Sequence, residues 1–141
     1  MKSVLGLIDI LKISDEELPL LTGTDDYDAG TGLLYEKYGI PLILLTLGAK
    51  GAYYRRGEET GKADGFKVRV ADTNGAGDTF LGAFLSRMAA LGIYRPADLS
   101  PEQLCECVRI ANLAASITTS RHGAIPAMPD LKELEKTLQS L

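Results

Sequence analysis

Tryptophan is absent from the 141 residues, and one histidine and two cysteines are the whole supply of the side chains that favour transition metals. Cys105 and Cys107 stand two apart in a helical stretch. They therefore project about 200° from each other, too divergent to bond together or clamp one ion, and both read as small packing residues. No zinc-type Cys/His spacing occurs, and His122 reads as a surface residue. Long apolar runs are missing too. The longest, Ile40 to Leu45, is strand-sized, far from the ~18 residues of a membrane helix, so no membrane partner is expected. Lys2, Asp9 and Lys12 interrupt the start of the chain, which leaves no secretory apolar block and makes a cytoplasmic location the expectation. An excess of positive charge is also lacking: 15 Lys+Arg face 19 Asp+Glu for a net charge of −4. Proteins that track nucleic-acid phosphates are normally basic, so no nucleic-acid partner is expected. Repeats and low-complexity blocks are absent as well.

What is present is an ordinary globular mixture, 45% hydrophobic and 24% charged, of a size for one domain. The charge is uneven. Residues 1–38 hold three Lys and eight Asp/Glu, whereas residues 50–70 hold six Lys/Arg and three acids. The basic stretch reads as a solvated hairpin face or as a mild field that attracts an anionic ligand.

Apolar patterning predicts alternating strands and helices. Leu5 to Ile13 ends in a short strand. Ser14 with Glu17 three residues later is a capping box that opens a short helix ending at Gly23. Asp25 to Tyr38 reads as a helix weakened by Gly30 and Gly32 and ended by Gly39. Pro41 to Thr46 is a continuous apolar run, as in a strand buried on both faces. Gly48 and Gly51 flank a tight turn, and Ala52 to Arg56 is a strand closed by Gly57. Phe66 to Val70 alternates apolar and polar, which predicts a half-buried strand. A helix follows to about Leu91, with Phe80, Phe84, Met88 and Leu91 on one stripe. Ser100, Pro101 and Gln103 open the next helix as N-cap, N1 and N3, and it runs to about Thr119. Gly123 to Pro129 reads as a loop, and Asp130 caps a last helix with Leu131, Leu134 and Leu138 inward. The expected class is α/β with a largely buried sheet of four or five strands.

Three stretches can carry chemistry. The first is the corner Asp72-Thr73-Asn74-Gly75-Ala76-Gly77-Asp78, where a strand meets a helix through small residues. Unpaired N–H groups at a helix start carry partial positive charge, and small residues let an anion approach them. This is not the phosphate loop that ends in Lys-Ser/Thr. Asp78 follows instead, and beside a phosphate its natural task is to take a proton from an attacking hydroxyl. The plainer alternative is a turn followed by a first-turn acid that suits the helix dipole. The second is Thr46-Leu47-Gly48-Ala49-Lys50-Gly51 after the buried strand, either a ligand-bordering loop at the carboxyl end of a strand or an ordinary hairpin turn. The third is Lys12-Ile13-Ser14-Asp15-Glu16-Glu17, either simple capping or a site where Glu17 helps hold hydrated Mg²⁺.

In order along the chain, these pieces resemble one family. They are Lys12-x-Ser14-x-x-Glu17-Leu18 with Leu21-Thr22-Gly23, then Thr46 to Gly51, then Asp72 to Phe80 with Gly82-Ala83-Phe84. Ala111-Asn112-x-Ala114-Ala115 and Arg121-x-Gly123-Ala124 with Pro126 complete the set. Together they look like the carboxyl-terminal half of a ribokinase/PfkB-type sugar kinase, fructokinase-like in flavour, over essentially the whole of residues 1–141. The resemblance implies a ribokinase-like, Rossmann-type layered α/β fold with a partial central sheet flanked by helices. It implies ATP-dependent phosphorylation of a sugar primary hydroxyl, with ATP, Mg²⁺ and K⁺ as cofactors and a small sugar as partner. Asp78 would be the general base, and the amides of Gly75, Ala76 and Gly77 the anion hole. Thr46, Leu47, Gly48, Ala49, Lys50 and Gly51 would border the nucleotide, with Asn112 on the adenine side. Glu17 would match the Asn-x-x-Glu glutamate near Mg²⁺, and Ser14 stands where that motif has Asn. Asp72, with carbonyls of Asn74, Thr118, Arg121, Gly123 and Ala127, would form a monovalent-cation site.

Members of that family run to roughly twice this length. The half not represented would hold the first glycine-rich signature, the lid sheet and most sugar contacts. An exposed sheet edge is therefore expected, together with self-association along it or a separate amino-terminal piece. The competing reading is a non-catalytic nucleotide-binding or oligomerisation module derived from such a kinase. Nucleoside and tagatose-6-phosphate kinases share the same motifs.

Overall fold

A computed structural model describes residues 4–141. Its sheet consists of β1 (Ile10–Ser14), β2 (Leu42–Thr46), β3 (Ala52–Arg56) and β4 (Glu59–Ala63), adjacent in that order. β1 and β2 are parallel, and β2, β3 and β4 form an antiparallel meander. A parallel pair needs a crossover, here supplied by α1 (Leu18–Thr22) and α2 (Tyr27–Tyr38).

Side-chain alternation along the strands sorts the core into two layers. Ile13, Ile43 and Leu45 pack with Leu18 and Leu34 on the α1/α2 side. Leu42, Leu44, Ala52 and Tyr54 pack on the opposite side, against α3 (Ala76–Ala90) and α4 (Pro101–Thr119). The apolar run is thus buried on both faces as expected: Leu42 through Leu45 are all 0% exposed. Each such side chain contributes about 1.5–3 kcal/mol, an upper figure for a compact unfolded reference. The buried Arg55 guanidinium ties β3 to α2 through Thr31 Oγ1 (3.0 Å) and Asp28.

Several local expectations change. Phe66 to Val70 forms no strand; the fourth strand is Glu59–Ala63. Gly57 and Glu58 make a two-residue hairpin loop between Arg56 and Glu59, so the chain returns along β3 at once. Nothing apolar alternates in Glu59-Thr60-Gly61-Lys62-Ala63, but Gly61 leaves room for Tyr54, whose hydroxyl would lie 2.3 Å from a Cβ there. The Ser14/Glu17 pair forms, but it stitches a turn, and the α-helix starts at Leu18, three residues later than a cap at Ser14 predicts. Gly30 does not interrupt α2, because the Leu18 side chain fills the space beside it.

Leu91 is 36% exposed, because α3 ends at Ala90 and Leu91 turns out of the Phe80/Phe84/Met88 stripe. In α5 (Leu131–Gln139), Leu134 is buried and Leu138 packs beside it against Ile110, Leu113 and Ala114. Leu131, the first helical residue, reaches past that patch and is 63% exposed. Cys107 is buried as expected, whereas Cys105 is exposed, the outcome that their divergence on one helix demands. His122 is exposed. No helix among the described residues is long and apolar enough to cross a membrane.

Candidate active site

The corner after Ala71 is built around the start of α3. Gly75 is its N-cap, with φ +78°, a left-handed conformation that side chains resist. A Cβ there would also lie 3.1 Å from Ala124 Cβ. No side chain caps the helix. Ala76 N–H reaches Thr73 O at 3.4 Å and Thr79 N–H bonds Gly75 O at 2.9 Å. Between them, Gly77 N–H and Asp78 N–H find no acceptor among the described residues. These are the donors a helix start offers to an anion. Asp78 is exposed on that turn. Thr79 is fixed from beneath, where its hydroxyl meets that of the buried Thr118 at 3.1 Å. The first turn of α3 is thereby pinned to the last turn of α4.

A cavity of about 420 Å³ opens beside this turn, within the usual range for small-molecule sites. Thr46, Gly48, Ala49 and Gly51 line it from the loop after β2; Thr73, Ala76 and Gly77 line it from the corner. Phe66, Val68, Val70 and Phe80 make its walls apolar. Asn112 and Ser116 face it from α4. Asn112 is buried, and its Nδ2 donates to Ala63 O at 3.1 Å, so it also holds the end of β4 against α4. A slot with apolar walls that ends at unpaired amides suits a ligand with a flat ring and an anionic tail.

Not every expected residue reaches the cavity. Leu47 is 3% exposed in the core on the α1/α2 side, drawn there by its apolar side chain. Lys50 is exposed outside the lining, and Asp78 lies next to Gly77 on the solvent side. Ser14 is held by Glu17: Glu17 Oε2 accepts from Ser14 N–H at 2.7 Å, and Ser14 Oγ accepts from Glu17 N–H at 3.2 Å. The bond from Ser14 N–H is the main reason that the Glu17 carboxyl lies below its ordinary pKa. Oε1 of Glu17 takes no hydrogen bond among the described residues, and the residue is exposed. No cluster of three or more metal-ligating side chains occurs among the described residues.

Asp72 draws distant pieces together. Its carboxylate accepts from Asn74 N–H at 2.9 Å and from Gly123 N–H at 3.2 Å, and these two bonds lower its pKa. Thr119 O takes the N–H groups of Ala71 and Asp72. Arg121 commits its guanidinium to Glu133 of α5 and its N–H to Thr118 O. Ala127 is buried in a 3-10 turn over Ile125–Ala127.

One residue at this site had a place in the sequence motif and no role: Lys12. Its ammonium lies over the start of α3, where a Cβ on Gly77 would come within 2.6 Å of Nζ. The available signal was strand alternation, since Lys12 shares a face with Ile10, which packs on the α3/α4 side.

The chain is 40% identical over 142 aligned positions to probable fructokinase-4 of Arabidopsis thaliana, an alignment that covers 98% of this chain and 42% of the relative. A double-mutant fructokinase from Vibrio cholerae O395, solved with fructose, ADP and potassium ion bound, superposes with a TM-score of 0.84 at 32% identity, covering 95% of this chain and 42% of that one. A ribokinase from Thermotoga maritima superposes with a TM-score of 0.82 at 26% identity, covering 99% of this chain and 45% of that one. The fold is therefore ribokinase-like, and the chain spans less than half the length of these relatives. Residues 1–131 match the pfkB family carbohydrate kinase, and the chain belongs to that family.

Proposed function

We propose that residues 1–141 form the carboxyl-terminal, nucleotide-binding and catalytic half of a sugar kinase, acting in ATP-dependent phosphorylation of a sugar primary hydroxyl, with fructose as the leading substrate. The observation that carries this reading is the juxtaposition at α3: unpaired Gly77 and Asp78 amides beside an apolar cavity, with an exposed carboxylate on the same turn. Phosphoryl transfer asks for little more than positioning and charge stabilisation. The amides around Gly75, Ala76 and Gly77 hold the transferring group. Asp78 takes the proton of the sugar hydroxyl. The loop of Thr46, Gly48, Ala49 and Gly51, with Asn112 opposite, borders the base. Glu17, through water, holds Mg²⁺, which when bound neutralises phosphate charge.

Asp72 and the carbonyls of Asn74, Thr118, Arg121, Gly123 and Ala127 form the monovalent-cation site, with K⁺ as occupant. The fructose, ADP and potassium of the Vibrio fructokinase support these assignments by similarity. The sugar-selecting surface lies outside these residues. It comes from an amino-terminal half or from a second copy, paired along the open edge of β1, which ends the sheet among the described residues.

The same edge and the 42% coverage of the plant relative favour one other reading, a nucleotide-binding or oligomerisation module without turnover of its own. ADP release with ATP, Mg²⁺ and K⁺, across sugars led by fructose, separates the two. Sugar-dependent release that disappears in Asp78→Asn supports the kinase. Stabilisation by ATP-Mg²⁺, with no release and no further gain from any sugar, supports the module.

A further inference from the structure

Lys12 occupies a position that its surroundings within the chain do not explain. Leu11 and Ile13 of β1 turn to the α1/α2 layer and Ile10 to the α3/α4 layer. Lys12, two residues after Ile10, therefore points to the α3 side near the carboxyl end of the strand. Its Nζ reaches the space over Gly77, the space a Cβ would need. The N-terminus of a helix already carries about half a positive charge, and Gly77 and Asp78 leave their N–H groups unpaired there. An ammonium on that spot is repelled unless an anion lies between.

Among the described residues Lys12 makes no ion pair. Glu17 feels it only as the smallest influence on its ionisation and is already bonded to Ser14 N–H. A cation and a bare helix start thus converge at the mouth of an apolar slot.

Resting on the nucleotide site proposed above, we infer that Lys12 is a binding residue for the terminal phosphates of a nucleoside polyphosphate. It closes on them from β1 while the Gly77 and Asp78 amides close from α3. It also offsets the repulsion between the Asp78 carboxylate and the phosphate tail. A compact point charge suits this position better than a planar guanidinium. Glycine at 77 is required because any side chain would take the place of the ammonium.

The test is calorimetric titration of ATP-Mg²⁺ and of adenosine into the wild type, Lys12→Met and Gly77→Ala, with a thermal melt of each. Removing a charge-assisted contact should weaken ATP by about 10- to 100-fold and leave adenosine within about twofold. The dependence of ATP affinity on salt should become shallower in the same variants. Gly77→Ala reaches the ammonium without altering the sheet, so it decides the matter if Lys12→Met does not fold. Equal losses for ATP and adenosine would make Lys12 merely structural and overturn the inference. Unchanged ATP affinity in both variants would overturn it too. A wild type that binds neither ligand would refute the nucleotide site itself, whereas a wild type that binds both equally would leave the base-bordering cavity standing and refute phosphate binding by Lys12 and by the Gly77 and Asp78 amides alike.

Discussion

Two helices pack against the same face of the sheet and begin in opposite ways. At the start of α4, Ser100 Oγ accepts from Gln103 N–H at 3.1 Å and Gln103 Oε1 accepts from Ser100 N–H at 2.9 Å, with Pro101 in the first turn. There the chain satisfies the Ser100 and Gln103 N–H groups, proline has none, and Glu102 N–H lies against its own carboxylate. At the start of α3 a left-handed glycine stands in the cap position, no side chain answers, and two N–H groups point outward. A missing cap typically costs about 1 kcal/mol. The contrast teaches that the start of α4 is closed by its own side chains, while the start of α3 leaves donors open, as the proposed anion site requires.

Substitutions at the two helix starts can break this contrast or sharpen it. The largest effect is expected from Asp78→Asn, in any assembly that turns over. Loss of a general base lowers kcat by about 10²–10⁴-fold, while nucleotide affinity stays within a few-fold. Steady-state kinetics beside a binding titration checks both, and equal turnover in mutant and wild type would remove Asp78 from the mechanism.

Gly75→Ala comes next. Its left-handed φ and the nearness of Ala124 cost about 1–2 kcal/mol of stability, and the displaced amides lower ATP affinity by about tenfold or more. Ser100→Ala is the control at the other helix. A loss of about 1 kcal/mol lowers Tm by about 3–6 °C, with ATP affinity unchanged. If Ser100→Ala impaired nucleotide binding as much as Gly75→Ala, the contrast would fail.

The smallest effect concerns pH. Asn74 N–H and Gly123 N–H hold the Asp72 carboxyl below its ordinary pKa. A depressed carboxylate pKa adds stability that is full above the unfolded value, about 3.9. That stability is lost as pH falls through the lower folded value. Urea melts of the wild type should weaken as pH falls below about 4, with a shallower slope in Asp72→Asn. The group is solvent-facing, so the difference is small.

Much of this was legible before folding, and the reason is distance along the chain. The Ser100/Gln103 and Asp130 caps, the end of α2 at Gly39 and the burial of Leu42 to Leu45 depend on neighbours a few residues away or on a continuous apolar run. The Asp72 to Asp78 corner was equally visible, because a left-handed cap before a helix selects glycine locally. The alternation of Phe66 to Val70 was a misleading local signal. A strand needs a partner, and the loop at Gly57 and Glu58 delivers Glu59–Ala63 to β3 first.

The sequence by itself determined the α/β class, most helix boundaries and the chemical character of the corner, since capping, periodicity and glycine spacing act within a turn or two. Tertiary structure alone decided that Leu47 enters the core while Thr46 and Gly48 line the cavity. It also joined Asp72 to Gly123, 51 positions away, and laid Lys12 over Gly77. Those contacts depend on which strand lies beside which and on where each strand ends, and no local pattern encodes that.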